Sequence, residues 1–178
     1  ADTQRRATGK IQDVFTILAN NGVNYVRFRV WVNPAQGYCN KADVMALAQR
    51  AKNAGLKILI DFHYSDSWAD PNQQTKPAAW STYSTAQLMQ SVHDYTYDVI
   101  SSLIAQGTPP DMVQIGNEIV HGMLWPEGKV IQGDVVYDTN EHWTNLAGFV
   151  NAGIQGVKDT GSNATIMIQM ASGDISEM

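Results

Sequence analysis

One cysteine, Cys39, stands in the whole 178-residue chain, so no intrachain disulfide can form and a zinc site built on several thiolates is excluded. Positive charge is also scarce. With 12 Lys+Arg against 17 Asp+Glu the formal net charge is -5, which repels nucleic acid and anionic membrane, so neither is expected as a partner. Apolar runs stay strand-sized, well short of the roughly 20 residues that cross a bilayer, and no transmembrane segment is expected. GxGxxG, GxxxxGK(S/T) and GxSxG are all missing, which removes the usual support for a dinucleotide fold, a P-loop and a serine-hydrolase elbow. The chain opens on ADTQRRATG, with neither an initiator Met nor the apolar middle of a secretory signal, as expected after processing or a cut inside a larger protein.

What is present is the make-up of a globular domain: 44% hydrophobic and 16% charged residues can bury a real core. Roughly one domain is expected at this length, although a complete α/β barrel takes about 250 residues. From Lys10, Ile11, Val14, Phe15 and Leu18 recur at helical spacing and Gly22 closes the segment. Residues 23–32, VNYVRFRVWV, then alternate with period two and stop at Asn33-Pro34. The unit recurs. Val44, Leu47, Ala48 and Ala51 make a second helical stripe before the apolar run LKILIDFH at 56–63. A third helix over 85–106 precedes MVQIGNE at 112–118, and a fourth, carrying Trp143, Leu146, Val150, Ile154 and Val157, precedes TIMIQM from Thr165. Strands buried on both faces, each reached through a helix, predict a parallel sheet with right-handed crossovers. A doubly wound sheet and a barrel both satisfy that. Polar residues gather at successive strand ends, Arg27 and Arg29, then Asp61 and His63, then Asn117 and Glu118, a distribution that favours the barrel, whose active face draws on several strand ends.

Glu118 ends an apolar strand and follows Asn117, so its carboxyl is expected to project from a rigid element into the loop layer, where a general acid would sit. A surface Glu after a strand is the bland alternative. Arg27, Arg29 and Trp31 share one strand face, and an Arg inside a barrel must meet a carboxylate such as Asp61 or Glu118. A structural ion pair explains them equally well. His63 and the loop YSDSWADP put an imidazole, Asp66, Trp68 and Asp70 above the second strand. Tyr64, Trp68, Trp80 and Trp125 are expected in one loop layer as platforms for sugar rings. Asp61, His63, Asp66, Asp70, Glu118 and His121 are ligand types for zinc or manganese, but neither HExxH nor His-x-His at a strand end is present. No metal and no cofactor is expected.

Read together, VNYVRFRVWVNP at 23–34, DFHYSDSWADPNQQTKPAAW at 61–80 and VQIGNEIVHGMLWPEG at 113–128 resemble the family 53 glycoside hydrolases, the endo-β-1,4-galactanases of the clan of barrel enzymes with a catalytic Asn-Glu pair. The resemblance runs from about Lys10 to the fourth strand. It implies a (β/α)8 TIM barrel, present here as about strands two to five, with residues 1–9 a polar stretch and 10–178 a partial catalytic barrel. It implies endo-hydrolysis of β-1,4-galactosidic bonds in the galactan side chains of pectin by a retaining double displacement. Glu118 is then the proton donor and later the general base, helped by Asn117, Arg27, Arg29 and His63, while Asp61, Tyr64, Trp68, Asp70 and Trp125 bind substrate. A retaining pair sits about 5–5.5 Å apart. By the same resemblance the nucleophile ends the seventh strand; no residue here matches it, and Glu177 lies in the wrong place. The first strand and strands six to eight are expected outside this chain, with the remainder of the barrel as its partner, so the segment alone is expected to be inactive. Calcium sites of some family members belong to later loops and are not carried over. A secreted or periplasmic location follows by resemblance. The alternatives are a related clan glycanase cutting xylan, mannan or cellulose, and a non-catalytic glycan-binding partial domain.

Overall fold

The computed structural model describes residues 5–6 and 11–171; Glu177 lies outside them. Strand β1 (Arg5–Arg6) pairs antiparallel with β2 (Ile11–Gln12). Helix α1 (Val14–Asn20) therefore starts later than the apolar spacing suggests: Asp13 is extended and its carboxylate accepts the Phe15 N–H at 2.8 Å, which fixes the first turn there. Strand β3 (Tyr25–Val30), helix α2 (Lys41–Asn53), strand β4 (Lys57–Phe62), helix α3 (Thr85–Ala105) and strand β5 (Met112–Ile115) follow. Two short strands, β6 (Gly122–Met123) and β7 (Gly128–Lys129), form an antiparallel pair, and helix α4 (Asn140–Asp159) leads into β8 (Thr165–Met167). The helix starts are chemically marked. Asn40 and Thr139 accept backbone N–H groups at the N-termini of α2 and α4, and Ser84 with Gln87 closes a capping box on α3.

The main sheet is parallel, in the order β3-β4-β5-β8. A doubly wound sheet reverses its strand order at a switch point, where its ligand binds. Here each new strand adds on the same side of the last, and the helices touch in sequence, α1 on α2, α2 on α3 and α3 on α4. One-directional growth under one continuous helix layer is the geometry of a barrel wall. Between sheet and helices lies the apolar core, in which Val26, Phe28, Val30, Ile58, Ile60, Phe62, Val113 and Ile115 meet Val44, Leu88, Val92, Leu103, Phe149 and Val157. Trp143 departs from its helical stripe: it is 46% exposed and donates its Nε1–H to Asp138 Oδ1 at 2.9 Å.

Candidate active site

Strand register sets the site. Arg29 pairs with Asp61, Asp61 with Gln114 and Gln114 with Met167, one row across the sheet. Because side chains alternate, this row and its neighbours at i±2, Arg27 and His63, face away from the helices. Asp61 is the hub. Its Oδ2 accepts from Arg27 Nη2 at 2.8 Å and from His63 Nε2 at 3.0 Å, and its Oδ1 accepts from Gln114 Nε2 at 2.6 Å. Arg27 thus meets the carboxylate it was expected to need. His63 is held at its other nitrogen as well, since the Ala69 N–H donates to Nδ1 at 3.0 Å. That leaves the ring proton on Nε2, aimed at Asp61. Asp61 itself was expected to hold substrate. Its side chain is 2% exposed with both oxygens occupied, so it organises its neighbours instead of offering an open acceptor.

The strand read as running to Glu118 ends at Ile115. Gly116 turns the chain with φ +78°, and a Cβ there would lie 2.6 Å from Ile119 Cγ2, so both conformation and space demand glycine. Glu118 is itself left-handed, with φ 52° and ψ 50°, a region that costs a non-glycine residue about 1–3 kcal/mol and clusters at functional sites. Amide side chains from three segments hold it there. Gln74 Nε2 donates to the Asn117 carbonyl at 2.8 Å, and Gln169 Oε1 accepts the Glu118 N–H at 3.3 Å. Gln114 Nε2 donates to the Gly116 carbonyl at 2.8 Å. Asn117 is buried, its Oδ1 accepting from Arg27 at 2.5 Å and its Nδ2 donating to the Ala69 carbonyl at 2.7 Å. The Glu118 side chain, half-buried, has no hydrogen-bond or charge partner among the described residues. The backbone is pinned and the carboxyl is left available.

Around this centre the aromatics sort into two kinds. Trp68 is 43% exposed, with its ring against His63 at 5.3 Å and the Arg29 guanidinium 4.8 Å from its centroid. Arg29 also donates from Nε to Cys39 Sγ at 3.3 Å. Trp125, half-buried, donates its Nε1–H to the His121 carbonyl at 2.9 Å, and the Lys129 ammonium lies 4.4 Å from its ring centroid. Tyr64 and Trp80 are corrected. Tyr64, next to His63 in sequence, faces the opposite way: it is fully buried, stacked on Phe62 and bonded through its hydroxyl to Thr96 Oγ1 at 2.7 Å. Burial pushes that hydroxyl above the ordinary tyrosine range. Trp80 is buried edge-on to Tyr95 in the core. The Asp70 carboxylate caps its own loop, accepting the Asn72 N–H at 2.8 Å, and Asp66 accepts the Asn33 and Ala78 N–H groups at 2.8 and 2.9 Å.

Sequence reasoning missed Gln74, Gln114 and Gln169. Neutral amides raise no titration or motif signal, and only the pairing of Asp61 with Gln114 in register brings one of them into view.

The glycosyl hydrolase family 53 model matches residues 1–177 of this chain. The chain is 43% identical over 171 residues to the arabinogalactan endo-β-1,4-galactanase of Thermothelomyces thermophilus, covering 95% of this chain and 48% of that one. Among solved structures, the family 53 catalytic domain of Ignisphaera aggregans superposes with a TM-score of 0.84 at 39% identity, covering 95% of this chain and 46% of that one. A fungal β-1,4-galactanase superposes with a TM-score of 0.81 at 42% identity, covering 91% and 46%. The chain spans about half the length of the curated relatives it matches.

Proposed function

Because the chain belongs to glycosyl hydrolase family 53 and its sheet is a section of the (β/α)8 barrel, we propose that the protein carrying it cleaves β-1,4-galactosidic bonds inside galactan with retention of configuration. The observation that carries this reading is Glu118: a carboxyl with no described partner, on a backbone pinned by three amides, in the turn three residues past the end of a central strand. In the first step Glu118 gives its proton to the departing glycosidic oxygen while a second carboxylate attacks the anomeric carbon and forms a glycosyl ester. In the second step Glu118 takes a proton from water, the water oxygen bonds to the anomeric carbon, and the second carboxylate leaves. Asp61 and Asp66, with both oxygens engaged, are unsuited to be that nucleophile, which we assign to a segment outside residues 11–171.

Arg27 and Asn117 hold the acid's surroundings in register, and Trp68 and Trp125 offer ring faces to the apolar sides of galactose units. Galactan of pectin is too large to enter a cell intact, so this reading puts the enzyme outside the cytoplasm, secreted or periplasmic. No described helix is long and apolar enough to cross a membrane.

The test is Glu118→Gln in the complete protein, with new reducing ends on galactan as the readout. A loss on the order of 10²–10⁴-fold is expected when a general acid is removed, with NMR of the wild-type products showing the β-anomer first. Undiminished turnover in the variant would refute the assignment.

A further inference from the structure

In β7 the Lys129 ammonium lies against two aromatic rings, 4.4 Å from the Trp125 ring centroid and 4.2 Å from that of Tyr137. We infer that Lys129 is a positioning residue, a strap whose cation holds the Trp125 ring at a fixed tilt so that substrate meets a platform already in place. The inference rests on the galactanase reading given above and assigns Lys129 no sugar contact of its own.

Lys129 turns to rings where other cations turn to acids. The chain has 17 Asp+Glu, and Arg27, Lys41, Arg50 and Lys76 each reach a carboxylate. Lys129 reaches none among the described residues; Glu127, two positions earlier, is bound by Lys76 at 2.6 Å. An ammonium over a ring is held by the ring's quadrupole, more firmly as it leaves water, and Lys129 is half-buried with two rings against it.

The strap is anchored at both ends. A Cβ on Gly122 would collide with the Gly128 carbonyl oxygen, and one on Gly128 would lie 2.8 Å from Phe149 Cε2, so Lys129 leaves a tight hairpin seated on α4. Tyr137 is fixed in turn: its N–H donates to the Asp134 carbonyl at 3.2 Å, and the His142 ring is edge-on to it at 5.6 Å. Trp125 is held less completely. Its backbone N–H donates to the Gln74 carbonyl at 2.9 Å and its Nε1–H to the His121 carbonyl at 2.9 Å, which pins one edge of the indole. A ring pinned at one edge can still tilt, and a cation against its face supplies the missing restraint. Because Gln74 also donates to the Asn117 carbonyl at 2.8 Å, the platform keeps register with the backbone that carries Glu118. A loosened platform must be ordered as substrate binds, a cost that falls on affinity and leaves the chemical step alone.

The experiment measures galactan hydrolysis by the complete protein and by its Lys129→Met, Lys129→Arg, Tyr137→Leu, Trp125→Ala and Glu118→Gln variants, with Lys129→Met also placed in the Trp125→Ala background. Lys129→Met keeps chain length and drops the charge; it is expected to raise KM roughly two- to tenfold, the ordering cost of one side chain, while kcat holds. Lys129→Arg, whose guanidinium also stacks on rings, is expected to recover most of that loss. Tyr137→Leu leaves the cation but removes its second ring, and is expected to raise KM by a smaller factor. In the Trp125→Ala background Lys129→Met is expected to add nothing, because the strap then has no platform to hold. Additive effects in that background, a kcat that falls with the charge, or an unchanged KM in Lys129→Met and Tyr137→Leu overturns the strap. An unchanged KM in Trp125→Ala overturns it by removing the platform. Full activity of Glu118→Gln would instead overturn the catalytic reading, so the failures are distinguishable.

Discussion

Replacing Asp61 with Asn tests whether this side chain organises the site or binds sugar. Asn keeps one oxygen and turns the other into an NH2 group. If the oxygen stays on the side of Arg27 and His63, the new NH2 faces Gln114 Nε2, which now lies 2.6 Å away as a donor. Gln114 cannot flip its amide cheaply, because Nε2 also donates to the Gly116 carbonyl at 2.8 Å. In the reverse orientation two donors, Arg27 and His63, face the NH2, which is worse. Arg27 is 43% exposed and can rehydrate, so its share of the loss is small. The buried bond from Gln114 to a charged acceptor is worth about 1.5–3 kcal/mol, and the donor left unpaired adds to this. The net loss comes to roughly 3 kcal/mol, or about 6–12 °C in thermal midpoint for a domain of this size. Circular dichroism melts of wild type and Asp61→Asn at one pH and salt concentration measure it. A midpoint shift under about 2 °C, at the level of a benign surface change, coupled with a raised KM for galactan, would show that Asp61 is open to substrate and refute the argument.

Two further outcomes follow from the contact between α3 and α4. His93 bonds Asp94 Oδ1 at 2.8 Å and Asp159 Oδ2 at 2.9 Å, and hydrogen bonds to Asp94 and then Asp159 raise its pKa above the ordinary 6.5. Stability from the raised histidine is full below 6.5 and fades as pH climbs through the folded value. That from the lowered Asp94 and Asp159 is present above their ordinary 3.8 and fades as pH falls through their folded values. His93→Gln is therefore expected to flatten the decline in melting temperature above neutrality, and an unchanged slope would count against the clamp. In α4, a Cβ on Gly156 would lie 2.6 Å from the His93 carbonyl oxygen, whereas one on Gly148 meets the flexible end of Met89. Alanine gains about 1 kcal/mol of helix propensity at either place, but overpacking against backbone costs about 1–3 kcal/mol. Urea titration is expected to show Gly156→Ala destabilised and Gly148→Ala neutral or stabilised; the reverse ranking would refute this packing.

The alternation of helices and strands was legible because strands buried on both faces leave nearly continuous apolar runs, as at Leu56–His63, and because the helices keep one apolar stripe. Boundaries were less so. Asp13 overrides the apolar spacing at Ile11 by capping two residues later, and Gly116 ends a strand whose hydrophobicity runs up to it. Glu118, Arg27 and His63 announced themselves by charge at strand ends. Tyr64 was not legible: it lies two residues past the end of β4 on a left-handed backbone with φ 50°, so strand alternation does not carry through to it. Nor were the glutamines: what makes Gln74 and Gln169 part of the site is where distant backbone carbonyls and N–H groups fall, and that is fixed only once the strands have packed side by side.

The left-handed backbone at Glu118 sets ruggedness against usefulness. Glycine or asparagine would relax into that conformation with less strain, so a laboratory lineage selected for heat resistance alone, with no sugar in the screen, would drift toward one of them at this position. On the proposed role of Glu118 it would emerge sturdier and chemically mute, its strained acid traded for a more comfortable peptide.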